Sequence, residues 1–282
     1  MSGPDEGLKP RALPMRFAGL SRRRRVLVIA IGLVILAVAV AGAVAVSGGG
    51  GNRAVGSGPD GPAQNRPGPV LLVPGYGGST SALDVLADHI RATGRTATVL
   101  LLPGGGTGSL ITDATVLNGA VTAALASGAP SVDVIGYSAG GVVALLWARR
   151  DDGAAKARRI VTLGSPFHGT ELAAAAEAFV PDACPVACQQ LVPGSTLLTS
   201  LDPGSAAGLP RWLSLWTTDD KTVTPPDSAR LAGAIDVAVQ SVCPALRITH
   251  SQLPTSPAVI AMVLQAIGPG PMLHPSAADC EG

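Results

Sequence analysis

Ser138 stands at the centre of Gly136-Tyr137-Ser138-Ala139-Gly140, a G-x-S-x-G pattern in which a hydroxyl can act as a nucleophile toward a carbonyl carbon. The pattern has a steric basis. The serine occupies a strained strand-to-helix turn, so the positions two before and two after it must lack side chains for strand and helix to approach. A serine hydroxyl is weakly nucleophilic alone; it needs a general base, and the base needs a carboxylate to orient it. The chain has four histidines. In this strand-turn-helix setting the chain order is nucleophile, acid, base. His89 precedes Ser138 in a helix-like stretch and reads as a surface residue. His168 precedes the best acid candidates, and His274 lies in a Pro-rich tail. His250 follows the last strand-like run and precedes the last helix-like one, and is the expected base. The acid should leave a strand between Ser138 and His250. Asp219 and Asp220 both do so, and the residue pattern does not separate them. Asp202, Asp227 and Asp236 read as capping or solvated groups. An oxyanion also needs donors. The N–H of Ala139, just after the serine, supplies one, and the N–H of Tyr76, in the bare Gly75-Tyr76-Gly77-Gly78 loop, the other. That loop has neither the lysine of a P-loop nor the G-x-G-x-x-G spacing of a dinucleotide site. The chemistry calls for no metal and no organic cofactor.

Several elements must position these groups. Val132 to Ile135 is a short β-branched strand ending at the serine turn, and an apolar helix follows to about Arg150. Upstream, Val70 to Val73 is a continuous apolar run, as a strand covered on both faces would be. Leu83 to Thr93 has helical spacing, Thr96 to Leu102 reads as a second strand, and Ile111 to Ser127 as a long Ala-rich helix closed by Gly128. Downstream, Arg159 to Leu163 and Arg211 to Thr217 read as strands, Asp236 to Val239 as a last strand, and Pro257 to Ile267 as a helix, with His250 in a loop. Glu171 to Gly208 breaks the rhythm with an Ala-rich helical piece, a close cysteine pair and a Gly-Ser stretch. Strands alternating with helices predict an α/β fold, a mostly parallel sheet with helices on both faces.

The remainder of the chain concerns location. Of 282 residues, 14% are charged and the net charge is +1, which argues against a nucleic-acid partner. Consecutive arginines at Arg22 to Arg25 precede Val26 to Val46, a charge-free run long enough to cross a bilayer as one transmembrane helix. The arginines orient the N-terminus inside and the rest outside. This predicts a basic cytoplasmic tail over 1–25, a signal anchor over 26–46, a flexible Gly/Pro/Ser linker over 47–68 and a catalytic domain over 69–282, with 171–208 as a cap. A cleaved signal peptide is the alternative, since Ala41-Gly42-Ala43 and Ala43-Val44-Ala45 offer small-x-small sites. Either way the domain lies outside the cytoplasm. The four cysteines suit that compartment. Three pairings are open; the preferred ones join Cys184 to Cys188 and Cys243 to Cys280. A zinc site is disfavoured, because no second close Cys or His pair exists.

Five stretches, VLLVPGYGGS, DVIGYSAGG, VTLGSPFHGT, the strand ending in TTDDKTV, and ITHSQLPTSPAV, together resemble the small secreted bacterial lipases and esterases of the α/β-hydrolase superfamily, the class 2 lipase group. The resemblance spans roughly Pro69 to Ile267. It implies an α/β-hydrolase fold and a serine ester hydrolase. It selects Asp220, in Asp220-Lys221-Thr222-Val223, as the acid, matches His250 to the base, and places Tyr76 and Ala139 at the oxyanion hole. Many relatives have histidine where Tyr137 stands and His-Gly where Pro74-Gly75 stands. The expected substrate is an acyl ester or lipid, met beside a membrane by a monomer. An acyltransferase or thioesterase with the same triad is the alternative, and an inactive membrane-tethered binding protein a third.

Overall fold

The computed structural model describes residues 61–205 and 207–281. The basic tail, the expected span Val26 to Val46 and the first part of the linker lie outside the described residues. Among the described residues no helix is long and apolar enough to cross a membrane.

Strands and helices alternate from the start. β1 (Val70–Val73) leads to α1 (Ser81–Ala92), β2 (Ala97–Val99) to α2 (Leu110–Ala126), and β3 (Val132–Tyr137) to α3 (Ala139–Arg150). A helical turn, α4 (Gly153–Lys156), enters β4 (Ala157–Leu163). Three short helices follow: α5 (Glu171–Phe179), α6 (Val186–Gln190) and α7 (Thr196–Leu201). Then come β5 (Arg211–Trp216), β6 (Ile235–Ala238), the turn α8 (Val239–Val242) and α9 (Pro257–Ile267). The strands form one parallel sheet in the order β2-β1-β3-β4-β5-β6.

The continuous apolar strands are explained by two covered faces. On one, Leu71, Val73 and Val134 pack with α2, α3 and the short helices. On the other, Val70, Leu72, Ile135 and Leu213 pack with α1 and α9. Adjacent residues of β1 thus serve opposite cores, as the two-residue period of a strand requires.

The second strand is shorter than its apolar run suggests. It pairs only from Val70↔Ala97 to Leu72↔Val99, because β1 itself is four residues long and the chain then turns into Pro103-Gly104-Gly105-Gly106. It is also an edge strand. Arg91 of α1 covers the edge, its Nε and Nη2 donating to Ala97 O at 3.1 and 2.7 Å. β6 ends at Ala238 rather than Val239, where α8 begins. The stretch between β4 and β5 holds three helices, punctuated by Pro181, Pro185 and Pro193, with Thr170 and Ser195 accepting from the N–H groups of Leu172 and Leu198 at the first and last helix starts. Both preferred disulfides form: Cys184–Cys188 with Cα atoms 5.2 Å apart, and Cys243–Cys280 at 5.6 Å.

The N-terminal ends of the strands are locked by charge. Arg158 and Asp133, both fully buried, form a two-pronged pair, and Arg95 reaches the same carboxylate at 2.7 Å. Arg158 also donates to Gln64 O (2.9 Å), Gly268 O (2.8 Å) and Ile267 O, and Arg159 to Ala266 O (2.5 Å) and Gly268 O (2.9 Å). The carbonyl end of α9, the negative pole of its dipole, thereby receives two guanidinium groups. Residues 61–68 join this lock through Gln64 and Gly68.

Candidate active site

All strands point their C-terminal ends at one edge, and the loops leaving them build the site. Ser138 lies between β3 and α3 at φ 54° and ψ −126°, a region that non-glycine residues seldom adopt. Its N–H donates to Leu163 O at 2.9 Å, and its carbonyl accepts from Gly141 N–H at 2.9 Å. The flanking glycines are required by contact. A β-carbon on Gly136 would lie 2.5 Å from Gly141 Cα, and one on Gly140 would lie 2.2 Å from Val73 O. Gly75 presses on the serine itself: a β-carbon there would come within 2.8 Å of Ser138 Cβ. The loop carrying Tyr76 is therefore seated directly on the turn, closed by Gly78 N–H to Gly75 O at 3.0 Å with Gly77 at φ 88°. Ala139 opens α3, where the first N–H groups have no partner within the helix.

The structure separates the two aspartates. Asp220 is buried, and its Oδ2 lies 2.7 Å from His250 Nδ1. Its Oδ1 accepts from the N–H groups of Thr222 and Val223, each at 2.8 Å, which fixes the carboxylate. Asp219 is only half-buried, and its N–H donates to Thr217 Oγ1 at 3.2 Å. The segments carrying Asp220 and His250 are stitched together beneath this pair. Thr217 Oγ1 donates to Ile248 O at 2.8 Å and accepts from Gln240 Nε2 at 2.8 Å. His250 begins a 3₁₀ turn, His250–Gln252, rather than lying in a free loop; the Gln252 side chain accepts from Thr249 N–H at 2.9 Å.

His250 is brought to the residue beside the serine. The Tyr137 ring lies 5.1 Å from the imidazole, centroid to centroid, and Tyr137 Oη donates to His250 O at 3.3 Å. Gly164, at the end of β4, makes room for the ring: a β-carbon there would lie 3.1 Å from His250 Nδ1. Nδ1 of the imidazole is thus committed to Asp220. Among the described residues no hydrogen bond joins Ser138 Oγ to His250. Neither Gly164 nor Tyr137 is picked out by residue chemistry; the only sequence signal is that they flank the serine turn and leave the neighbouring strand. The other histidines stay apart. His89 is exposed on α1, His168 Nε2 lies 3.2 Å from Arg230 O, and His274 Nδ1 lies 2.9 Å from Pro275 O.

The stretch 171–208 is tied to both sides of the site. Thr170 Oγ1 donates to Thr222 O (2.7 Å) and Glu171 N–H to Thr224 O (2.8 Å), joining it to the acid loop. Ala187 N–H donates to Thr107 O (3.2 Å), and Gln190 Oε1 accepts from Leu110 N–H (2.8 Å), joining it to the start of α2. A cavity of about 710 Å³ lies elsewhere, between β2 and the C-terminal half of α2, and is lined by Arg95, Thr98 and Ala124; none of the site residues reaches it. Among the described residues no group of three or more His, Cys, Asp or Glu side chains is placed to hold a metal ion.

The fold has counterparts among solved structures. Lipase B of Aspergillus fumigatus matches 77% of this chain and 56% of its own at 19% identity, with a TM-score of 0.63. The propeptide form of lipase BlEst2 of Bacillus licheniformis matches 80% of this chain and 54% of its own at 16% identity, with a TM-score of 0.60. An alpha/beta hydrolase enzyme from a lagoon-sediment metagenome matches 70% of this chain and 89% of its own at 19% identity, with a TM-score of 0.50. The chain has the α/β-hydrolase fold. The chain spans little more than half the length of the two lipases. No family model and no curated protein matches the sequence. Ser138 stands at the G-x-S-x-G turn between β3 and α3, at the C-terminal edge of the sheet.

Proposed function

We propose that this protein is a serine ester hydrolase acting on acyl esters or lipids. The observation that carries the reading is the buried Asp220–His250 pair, 2.7 Å apart, set against the residue that precedes a strained serine. Ser138 Oγ attacks the acyl carbonyl while His250 Nε2 takes its proton. His250 then returns the proton to the leaving alcohol, and water hydrolyses the acyl-enzyme by the same path. Asp220 holds the imidazole tautomer with its proton on Nδ1 and stabilises the imidazolium. The N–H groups of Tyr76 and Ala139 receive the oxyanion. Resting enzymes commonly hold the serine–histidine contact loosely and tighten it on substrate, so its absence here is compatible with this role. The lipase neighbours support the substrate class. Two disulfides support an oxidising, extracytoplasmic setting, and the Val26 to Val46 run is proposed to anchor the domain on the outer face of a membrane.

A panel of p-nitrophenyl esters tests the reaction. Ser138→Ala should lose at least about a thousandfold in kcat, and Asp220→Asn about a thousandfold or more, through the wrong tautomer. Asp219→Asn should stay within about threefold of wild type, because Asp219 is not hydrogen-bonded to the imidazole. Equal turnover by wild type and Ser138→Ala defeats the proposal.

A further inference from the structure

The ester-hydrolase reading uses Ser138, Asp220 and His250 but leaves the side chain between strand and serine unassigned. Tyr137 is the last residue of β3 and holds His250 twice. Its ring faces the imidazole at 5.1 Å with planes tilted by 32°, within the range of offset aromatic pairs. Its hydroxyl donates to the main-chain carbonyl of His250 at 3.3 Å. Asp220 contacts a single ring nitrogen. A hydrogen bond to one nitrogen of a flat ring sets a direction but leaves the ring free to tip about it. Gly164 closes in on the same edge, near Nδ1 and Cε1, and supplies no side chain to resist tipping. Tyr137 is thus the side chain placed to fix the ring plane.

We infer that Tyr137 is a positioning residue: it sets the tilt of the His250 imidazole so that Nε2 faces Ser138 Oγ. This rests on the ester-hydrolase reading. Burial and the nearby Asp220 carboxylate push the Tyr137 phenol up to about 12, so it remains a neutral donor over the working range. It therefore holds the base without competing with it for the serine proton.

Two variants divide the contacts. Tyr137→Phe keeps the ring and removes the hydroxyl; Tyr137→Leu removes both. Tyr137→Leu should lower kcat by about 10- to 100-fold with KM within about twofold, because small misplacements of a proton acceptor are costly. Tyr137→Phe should recover most of that, remaining about two- to tenfold below wild type. Labelling of Ser138 by a fluorophosphonate should slow in the same order, and needs no ester. In NMR spectra the His250 ring protons should lose their ring-current shift in Tyr137→Leu and keep it in Tyr137→Phe. Unchanged labelling rates in both variants, or a loss confined to KM, overturn the inference. Where Tyr137→Leu fails to fold, equal labelling of Tyr137→Phe and wild type overturns the hydroxyl hold. Slower labelling of the Tyr137 variants than of a wild type that itself turns over no ester would sink the ester reading and leave the positioning role standing.

Discussion

Asp113 shows what a single side chain can cost. It lies in the first turns of α2 on the face shared by Leu110, Ala114 and Leu117, almost fully buried, and its Oδ2 has no hydrogen-bond partner. Burial pushes its carboxyl up to about 6. The sign follows from linkage. The folded state binds the proton more tightly than the unfolded chain, so this group favours folding below about pH 4 and that contribution is lost as pH rises through about 6. Replacing it with asparagine removes the dependence. Chemical denaturation at several pH values should show Asp113→Asn gaining on wild type by roughly 2 to 3 kcal/mol between about pH 4 and pH 7. A constant difference across that range would refute the ionisation account. Ser138 is the opposite case at this scale. Its positive φ costs roughly 1–3 kcal/mol and persists because the surrounding glycines and the Leu163 carbonyl hold it there.

Among the elements, the β3–α3 turn is a tight junction, and at Gly140 its tolerance is set by backbone rather than by side chains. Gly140 has carbonyl oxygens of Val73 and Pro74 at 2.2 and 2.6 Å from where a β-carbon would sit. Neither carbonyl can move without shifting β1 and the Tyr76 loop. Gly140→Ala should therefore cost about 3 kcal/mol or more in thermal unfolding and displace the Tyr76 loop with it. Gly119 is the control. It lies inside α2 with nothing within 4 Å of a β-carbon, so Gly119→Ala should stabilise by about 1 kcal/mol. Equal effects from the two substitutions would show that the packing at the turn is slack. The same scale explains the cap stretch. Its helices send Ala173, Ala187, Leu198 and Leu201 into the core while Leu172 and Phe179 stay exposed, and the bonds from Thr170 and Gln190 fix their seat.

The whole molecule is held from two ends. At the N-terminal edge of the sheet, Asp133 and three arginines bind residues 61–68 and the end of α9. At the other end of α9, the preceding segment carries His250, so the placement of that imidazole depends on how firmly α9 is fixed. Cys243–Cys280 closes a loop of sequence separation 37 around that helix, whereas Cys184–Cys188 spans 4. By loop-closure entropy the longer bridge contributes about 4 kcal/mol and the shorter about 2. Replacing Cys243 and Cys280 with serine should thus lower the unfolding free energy about twice as much as replacing Cys184 and Cys188, measured by denaturant titration. The reverse ranking would place the main constraint in the stretch between β4 and β5.

Sequence alone determined what short-range physics controls. The apolar strands, the glycines around Ser138 and the alternation of strands and helices all follow from forces acting over a few residues, and these elements appear near their expected places. The ends drift by a residue or two where pairing length or a following turn intervenes, as at β2 and β6. What tertiary structure decided involves residues far apart. Residue pattern left Asp219 and Asp220 equal; only the direction of each side chain after β5 puts one carboxylate on His250, 30 residues on. Tyr137 meets His250 across 113 residues, and Gln64 meets Arg158 across 94. Such contacts depend on sheet register and on which face a loop presents, and neither is written in spacing along the chain.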